Sequence, residues 1–198
     1  MTLDDEAIER LVVQAQGGDT FAFGQIFDHY HEPVYRYIAS RVYRPSDAED
    51  LTQLIFVKAL EALPRYEARG VPFGGWLFRL ARNAVIDFVR TRHEHAQLEV
   101  ISGRAGDDAG PEEVAQLRED IAAVAGALAL LTDEQREAVA LRFFAGLSAR
   151  EAAEAMGKQE GTVRGLQFRA IAALRRQMGL EAETGGDDNG HPPGGRGT

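Results

Sequence analysis

The feature that most restricts this chain is a recurring pairing of a helix-capping tetrapeptide with apolar residues spaced three and four apart. Ser46-Asp47-Ala48-Glu49, Thr132-Asp133-Glu134-Gln135 and Ser148-Ala149-Arg150-Glu151 each place a hydroxyl three residues before a Glu or Gln. Such a hydroxyl accepts an orphan amide of the first turn, and the Glu or Gln reaches back to the cap residue's own amide. The spacing predicts helices from Ser46 to about Leu63, stopped by Pro64, and others near 133–145 and 149–156. Phe23, Ile26, Phe27, Tyr30, Val34 and Tyr37 trace a further amphipathic helix, which Pro33 is expected to break or kink. No stretch sustains the alternation of apolar and polar residues that a half-buried strand requires. The expected fold is all-α.

The 198 residues, 44% hydrophobic and 27% charged, suffice for one ordinary domain or two small ones. Residues 99–113, EVISGRAGDDAGPEE, and the tail 181–198 combine Gly, Pro and acids with too little apolar surface to order themselves. The expected organisation is therefore a helical domain at 1–97, a flexible acidic linker at 98–114, a second helical domain at 115–179 and a disordered tail at 180–198. No apolar run nears the roughly 18 residues that cross a bilayer. The acidic N-terminus MTLDDEAIER lacks the layout of a signal peptide. No membrane insertion and a cytoplasmic location are expected. Without cysteine there is no disulfide framework, thiol nucleophile or Cys-based zinc site.

Net charge is −9, which by itself argues against a general nucleic-acid binder. Its distribution argues otherwise. Residues 76–92 hold four Arg and one Asp, and residues 162–178 hold four Arg and no acid. Two basic helices thus sit in an otherwise acidic chain.

Ser148 to Gln177 reads as helix-turn-helix. A short helix ends at Gly157, where a left-handed residue is needed, and Ala153 leaves room for a second helix to cross closely. That second helix, from about Gly161 to Met178, turns Val163, Leu166, Ala170, Ile171, Leu174 and Met178 to one side. Arg164, Phe168, Arg169, Arg175 and Arg176 fall on the other. An arginine front with an apolar back suits the major groove, where guanidiniums grip phosphates or guanine edges and a ring can touch a thymine methyl. Gln167 is out of place on the apolar side. A solvated surface helix is the plain alternative.

Residues 73–92 make the second basic helix. Leu77, Leu80, Ala81, Ala84, Val85, Phe88 and Val89 form its buried stripe, while Arg79, Arg82, Asn83, Asp87 and Arg90 occupy the other face near Trp76. The Gly70, Pro72, Gly74, Gly75 stretch before it signals a loop. Aromatics leading into a cationic helix can hold splayed single-stranded bases by stacking and phosphate contact. Trp76 and Phe73 serve equally well as plain core residues.

The run Asp47-Ala48-Glu49-Asp50-Leu51-Thr52-Gln53, with Phe56, then Trp76-Leu77-Phe78-Arg79-Leu80-Ala81-Arg82-Asn83, Asp87 and Arg90, resembles region 2 of extracytoplasmic-function (ECF, group IV) sigma factors of the sigma-70 family. Leu131 to Arg136, Gly146-Leu147-Ser148, Glu151-Ala152-Ala153, Gly161-Thr162-Val163-Arg164 and Arg169-Ala170 resemble region 4 of that family. The resemblance covers about 20–97 and 115–178, and it implies a dissociable subunit that gives bacterial RNA polymerase its promoter preference. It implies that Asp47, Asp50 and Gln53 bind the clamp helices of the largest polymerase subunit, and that the second domain reaches the flap of the second-largest. Trp76, Arg79, Arg82, Asn83 and Arg90 are expected to engage the −10 element and capture a flipped base. Thr162, Arg164, Gly165, Phe168 and Arg169 are expected at the −35 element. An anti-sigma factor is the further implied partner, and the linker would thread through polymerase channels. Leu54 stands where the family carries an acid, Gly165-Leu166-Gln167 replaces a common Ser-Arg-Leu, and Gln159 replaces a cap Ser.

Two rivals remain in view. A one-component helix-turn-helix regulator explains 132–178 but gives no role to 47–92. An enzyme would need a site, and no catalytic residue, cofactor or metal is expected. His29/His31 and His93/His95 are spaced to point to different sides of a helix, and no phosphate-cradling loop, GxSxG or HExxH occurs.

Overall fold

A computed structural model describes residues 3–42, 44–68, 70, 72–102 and 130–177. Its elements are α1 (Asp5–Gln16), α2 (Thr20–Ala39), α3 (Pro45–Ala62), a 3-10 turn (Leu63–Arg65) and α4 (Phe73–Ser102), followed by α5 (Asp133–Val139), a π turn (Ala140–Phe144), α6 (Ala149–Met156) and α7 (Glu160–Gln177). No strand occurs among the described residues, and the fold is all-α.

Two of the three capping boxes form. Thr132 Oγ1 accepts from the Gln135 amide at 3.3 Å, and the Gln135 side chain accepts from the Thr132 amide at 3.0 Å. Ser148 and Glu151 exchange the same pair of bonds at 3.2 and 2.8 Å. Gly157 closes α6 in the left-handed region, at φ 63° and ψ 38°. The box at Ser46 does not form. Pro45 takes the first helical position, where its fixed φ suits the helix and its missing amide is no loss, and Arg44 becomes a cap without a side-chain bond. Ser46 is thereby drawn inside the first turn. Asp4 and Asp19 cap α1 and α2 instead, each through its carboxylate.

Pro33 does not break α2. Its neighbours Tyr30, Val34 and Tyr37 are all buried, and their packing outweighs the one amide that proline withholds. Gly74 and Gly75, expected in a loop, belong to the first turn of α4. A Cβ at Gly74 would lie 2.5 Å from Glu151 Oε1 and 3.2 Å from the Tyr30 hydroxyl, so a larger residue there would have to displace the Glu151 side chain. α4 runs on to Ser102, with no Gly or Pro between Gly75 and Gly103 to stop it. The remainder of the expected linker, the first part of the second domain and the tail lie outside the described residues.

Ile26, Val34, Tyr37 and Ile38 of α2, Ile55 of α3 and Leu77, Phe78 and Val85 of α4 are at most 1% exposed and make the first unit's core. In the second unit, Leu141, Ala152, Val163, Leu166 and Ala170 are buried between α5, α6 and α7. Among the described residues the two units are in contact. α4 packs chiefly against α6, whose Ala152, Ala153, Ala155 and Met156 join the first unit's apolar cluster. Alanines at these positions let the two helices approach closely.

Replacing Gly157 with Ala should cost about 1–2 kcal/mol, because a Cβ is strained at positive φ. Ser148→Ala should cost about 1 kcal/mol through the lost cap. Urea unfolding midpoints test both, and Gly157→Asn should lose less than Gly157→Ala.

Candidate nucleic-acid interface

α7 carries the first basic face. Val163, Leu166 and Ala170 turn inward, at no more than 5% exposed, and Phe168 stands 75% exposed on the opposite side. Thr162, Arg164 and Arg169 are exposed, and Gly165 is half-buried between the two sides. Arg164 is tethered along its own helix, its guanidinium 2.5 Å from Glu160. The misplaced Gln167 has a structural use: it accepts from Arg142 Nε at 3.1 Å, while Arg142 also donates to the Leu147 carbonyl. That arginine ties the π turn, the loop before α6 and α7 together. Lys158 adds a 2.6 Å ion pair to Glu134. α7 therefore rests on a braced platform, with its aromatic and cationic side open.

α4 carries the second. Phe73 is 2% exposed and is core. Trp76 is intermediate: its ring lies 5.1 Å from Phe73 and 4.9 Å from Tyr66, and it edges a cavity of about 180 Å³ with Arg65, Pro72 and Arg79. Phe73 is thus a core residue, and Trp76 packs partly buried at the core's edge. Asn83 and Arg90 are exposed, Arg90 pairing with Asp87 at 3.2 Å. Arg79 and Arg82 are held differently, by carboxylates of the second unit. Arg79 donates to Glu154 at 2.9 Å, and Arg82 Nε lies 3.7 Å from Glu137.

Glu137 is the residue that sequence reasoning missed. It is 3% exposed and accepts the Tyr37 hydroxyl at 2.7 Å, with Arg41 at 3.3 Å. A buried carboxylate survives only when paired in this way. The pairing is incomplete on the cationic side, since Arg41 Nη1 and Arg82 Nε are buried without a hydrogen-bond partner. Burial, and then the Glu137 charge, push the Tyr37 phenol well above its ordinary pKa. The one available sequence signal was register: Glu137 stands four residues before buried Leu141, on the inward side of α5.

On α3, Asp50 and Gln53 are exposed, and Asp47 is half-buried in an ion pair with Arg92. Leu54, Val57 and Leu60 are 42%, 52% and 50% exposed beside them. The helix presents a mixed acidic and apolar stripe. His31 stacks near Phe56, and burial pushes the His29 pKa down. No group of three or more His, Asp or Glu placed to hold a metal occurs among the described residues, nor any helix long and apolar enough to cross a membrane.

With this geometry in place, two family models match: Sigma-70 region 2 over residues 26–94 and Sigma-70, region 4 over residues 127–176. The ECF RNA polymerase sigma factor BldN of Streptomyces coelicolor is 39% identical over 179 residues, 88% of this chain and 67% of that protein. ShbA of Streptomyces griseus, also an ECF RNA polymerase sigma factor, is 39% identical over 184 residues, 87% of this chain and 96% of its own. Among solved structures, CnrH in complex with the cytosolic domain of CnrY matches with a TM-score of 0.67 at 28% identity, over 89% of this chain and 99% of that one. The sigma factor RpoE in complex with the anti-sigma factor NepR from Bartonella quintana matches at 0.62 and 26%, over 81% and 98%.

Because the native Tyr37 phenol resists ionisation, its contribution to stability is fully present below its unfolded pKa of about 10 and is lost as pH rises beyond it. Tyr37→Phe should cost about 1.5–3 kcal/mol at pH 7, the worth of a hydrogen bond to a charged group. The same variant should lose less additional stability than the wild type between about pH 10 and 11. Urea midpoints across that range measure the difference.

Proposed function

Because the chain belongs to the extracytoplasmic-function RNA polymerase sigma factors, we propose that it is a group IV member that docks on core polymerase through α3 and reads promoters with two separate basic faces. Asp50 and Gln53 are the open polar candidates for the clamp helices, with Asp47 released from Arg92 on docking. Leu54, Val57 and Leu60 would add apolar contact, so that Leu54 replaces a charge by burial. The second unit would meet the flap.

Trp76, Arg79, Arg82, Asn83 and Arg90 would take the non-template strand of the −10 element, with an unstacked base seated beside Trp76. Thr162, Arg164, Gly165, Phe168 and Arg169 would read the −35 duplex. We assign region 2 to 1–97, the linker to 98–114, region 4 to 115–179 and a tail to 180–198. The protein would act in the cytoplasm, leave catalysis to the polymerase and be held by an anti-sigma factor. RpoE in complex with the anti-sigma factor NepR supports that last partner.

The observation that carries this reading is the conjunction of two basic helices in a chain of net charge −9, each within its own sigma-family match. A one-component regulator would use α7 and leave the exposed stripe of α3 and the cations of α4 without a task. An isolated patch of three or four cations binds DNA weakly, with an affinity that falls steeply with salt. Tethered on polymerase, both helices act at high effective concentration.

Run-off transcription with purified core polymerase tests the proposal. Arg169→Ala should lower output about 5- to 100-fold from templates that need the −35 element, the scale of one good base or phosphate contact. Asn83→Ala should slow opening on duplex templates and be rescued when the −10 region is pre-melted. Equal loss on every template, pre-melted ones included, would contradict these assignments.

A further inference from the structure

The two DNA-facing surfaces are not equally open. On α7, Thr162, Phe168 and Arg169 are exposed. On α4, the guanidiniums nearest the loop are taken by the second unit, Arg79 by Glu154 at 2.9 Å and Arg82 by Glu137 at 3.7 Å. Arg150 donates to the Gly70 carbonyl, and Glu151 stands so close that a Cβ on Gly74 would lie 2.5 Å from its Oε1. α6 therefore covers the loop and first turns of α4, which is the surface a splayed strand would need.

Guanidinium binds carboxylate and phosphate through the same fork of donors. We propose that Glu137 and Glu154 stand in for DNA phosphates. In the polymerase-free chain they hold α6 against α4 and mask Arg79 and Arg82, so that the −35 helix is presented while the strand-capturing face is withheld. This rests on the assignment of α4 to single-stranded DNA made above. The imitation is imperfect in a way that favours release. Arg41 Nη1 and Arg82 Nε remain without a hydrogen-bond partner, beside a cavity of about 580 Å³ that Arg41, Arg82, Arg90 and Glu137 help to line. A phosphate offers more acceptor oxygens than one carboxylate. The half-exposed Arg79–Glu154 pair stabilises little, and the buried Glu137 contact little beyond its own desolvation, so a larger partner can open the contact.

The absence of cysteine makes the test clean, because dyes attach only where cysteine is introduced. Glu61→Cys on α3 and Gln177→Cys on α7 place a donor and an acceptor on exposed positions of the two units. In that background Glu137→Gln/Glu154→Gln should lengthen the dye separation. The same double variant should bind a fluorescein-labelled, random-sequence single-stranded 15-mer about tenfold or more tightly, as expected when the competent state of the wild type is a minor one. Adding Arg79→Ala/Arg82→Ala should remove the gain.

Glu6→Gln/Glu32→Gln deletes the same two charges from exposed sites and should change neither readout by more than about twofold. Glu154→Gln alone, at a carboxylate one-third exposed, avoids the cost of altering a buried charge and should give a smaller gain in the same direction. An unchanged dye separation in the double variant would overturn the latch. An equal gain in the charge control would overturn the masking alone, whereas a longer separation with unchanged DNA affinity would overturn the assignment of α4 on which it rests.

Discussion

A carboxylate that is 3% exposed has to be answered by donors, and the answer that Glu137 receives sets the architecture. Tyr37 comes from α2, Arg41 from just beyond it and Arg82 from α4, so one side chain of α5 registers the second unit against two helices of the first. Once α5 is seated, α6 falls on α4 and α7 is directed outward. Removing either partner would leave buried charge uncompensated, which costs more than the pair itself contributes. The apolar surface that accompanies the contact is built largely from alanine, which allows close approach without deep interlocking. The joint is therefore specific in geometry and modest in strength.

That balance matches what the charge distribution asks of the protein. In a chain of net charge −9, α4 and α7 carry eight of the 22 Lys and Arg, and an overall negative field disfavours contact with DNA anywhere but on such basic faces. In the proposed reading, neither helix commands enough phosphates to bind tightly alone, and held on a common platform they add. The mixed stripe of α3, with Asp50 and Gln53 beside Leu54, Val57 and Leu60, is the surface proposed for that platform, since its half-exposed aliphatics gain by burial against a partner.

Much of this was legible in sequence where the cause is local. Thr132 and Ser148 announce their helices because a hydroxyl cap and its Gln or Glu partner lie three residues apart. Gly157 announces a turn because few other residues accept its φ. The inward and outward sides of α7 follow from helical periodicity, as do most of the buried positions of α4. What was hidden is tertiary. Pro45 displaced Ser46 from its cap, and Gly74 reads as loop although it packs close to Glu151 and Tyr30. Glu137 differs in sequence from Asp133 and Glu134, acids of the same short helix that face outward, only by its register. Gln167 looked misplaced until Arg142 supplied its partner. Which arginines of α4 are engaged depends on where a helix some 70 residues later comes to rest, and no local pattern encodes that.

In the proposed mechanism an acidic chain reads promoter DNA with two small basic faces that become effective only when a polymerase presents them together. Gel-shift titration of a promoter duplex over a series of salt concentrations, with the chain alone and with core enzyme, measures this directly. The account predicts weak, steeply salt-dependent binding by the chain alone, and tight complexes that survive higher salt once core is present. Tight, sequence-selective binding by the chain without core would contradict it.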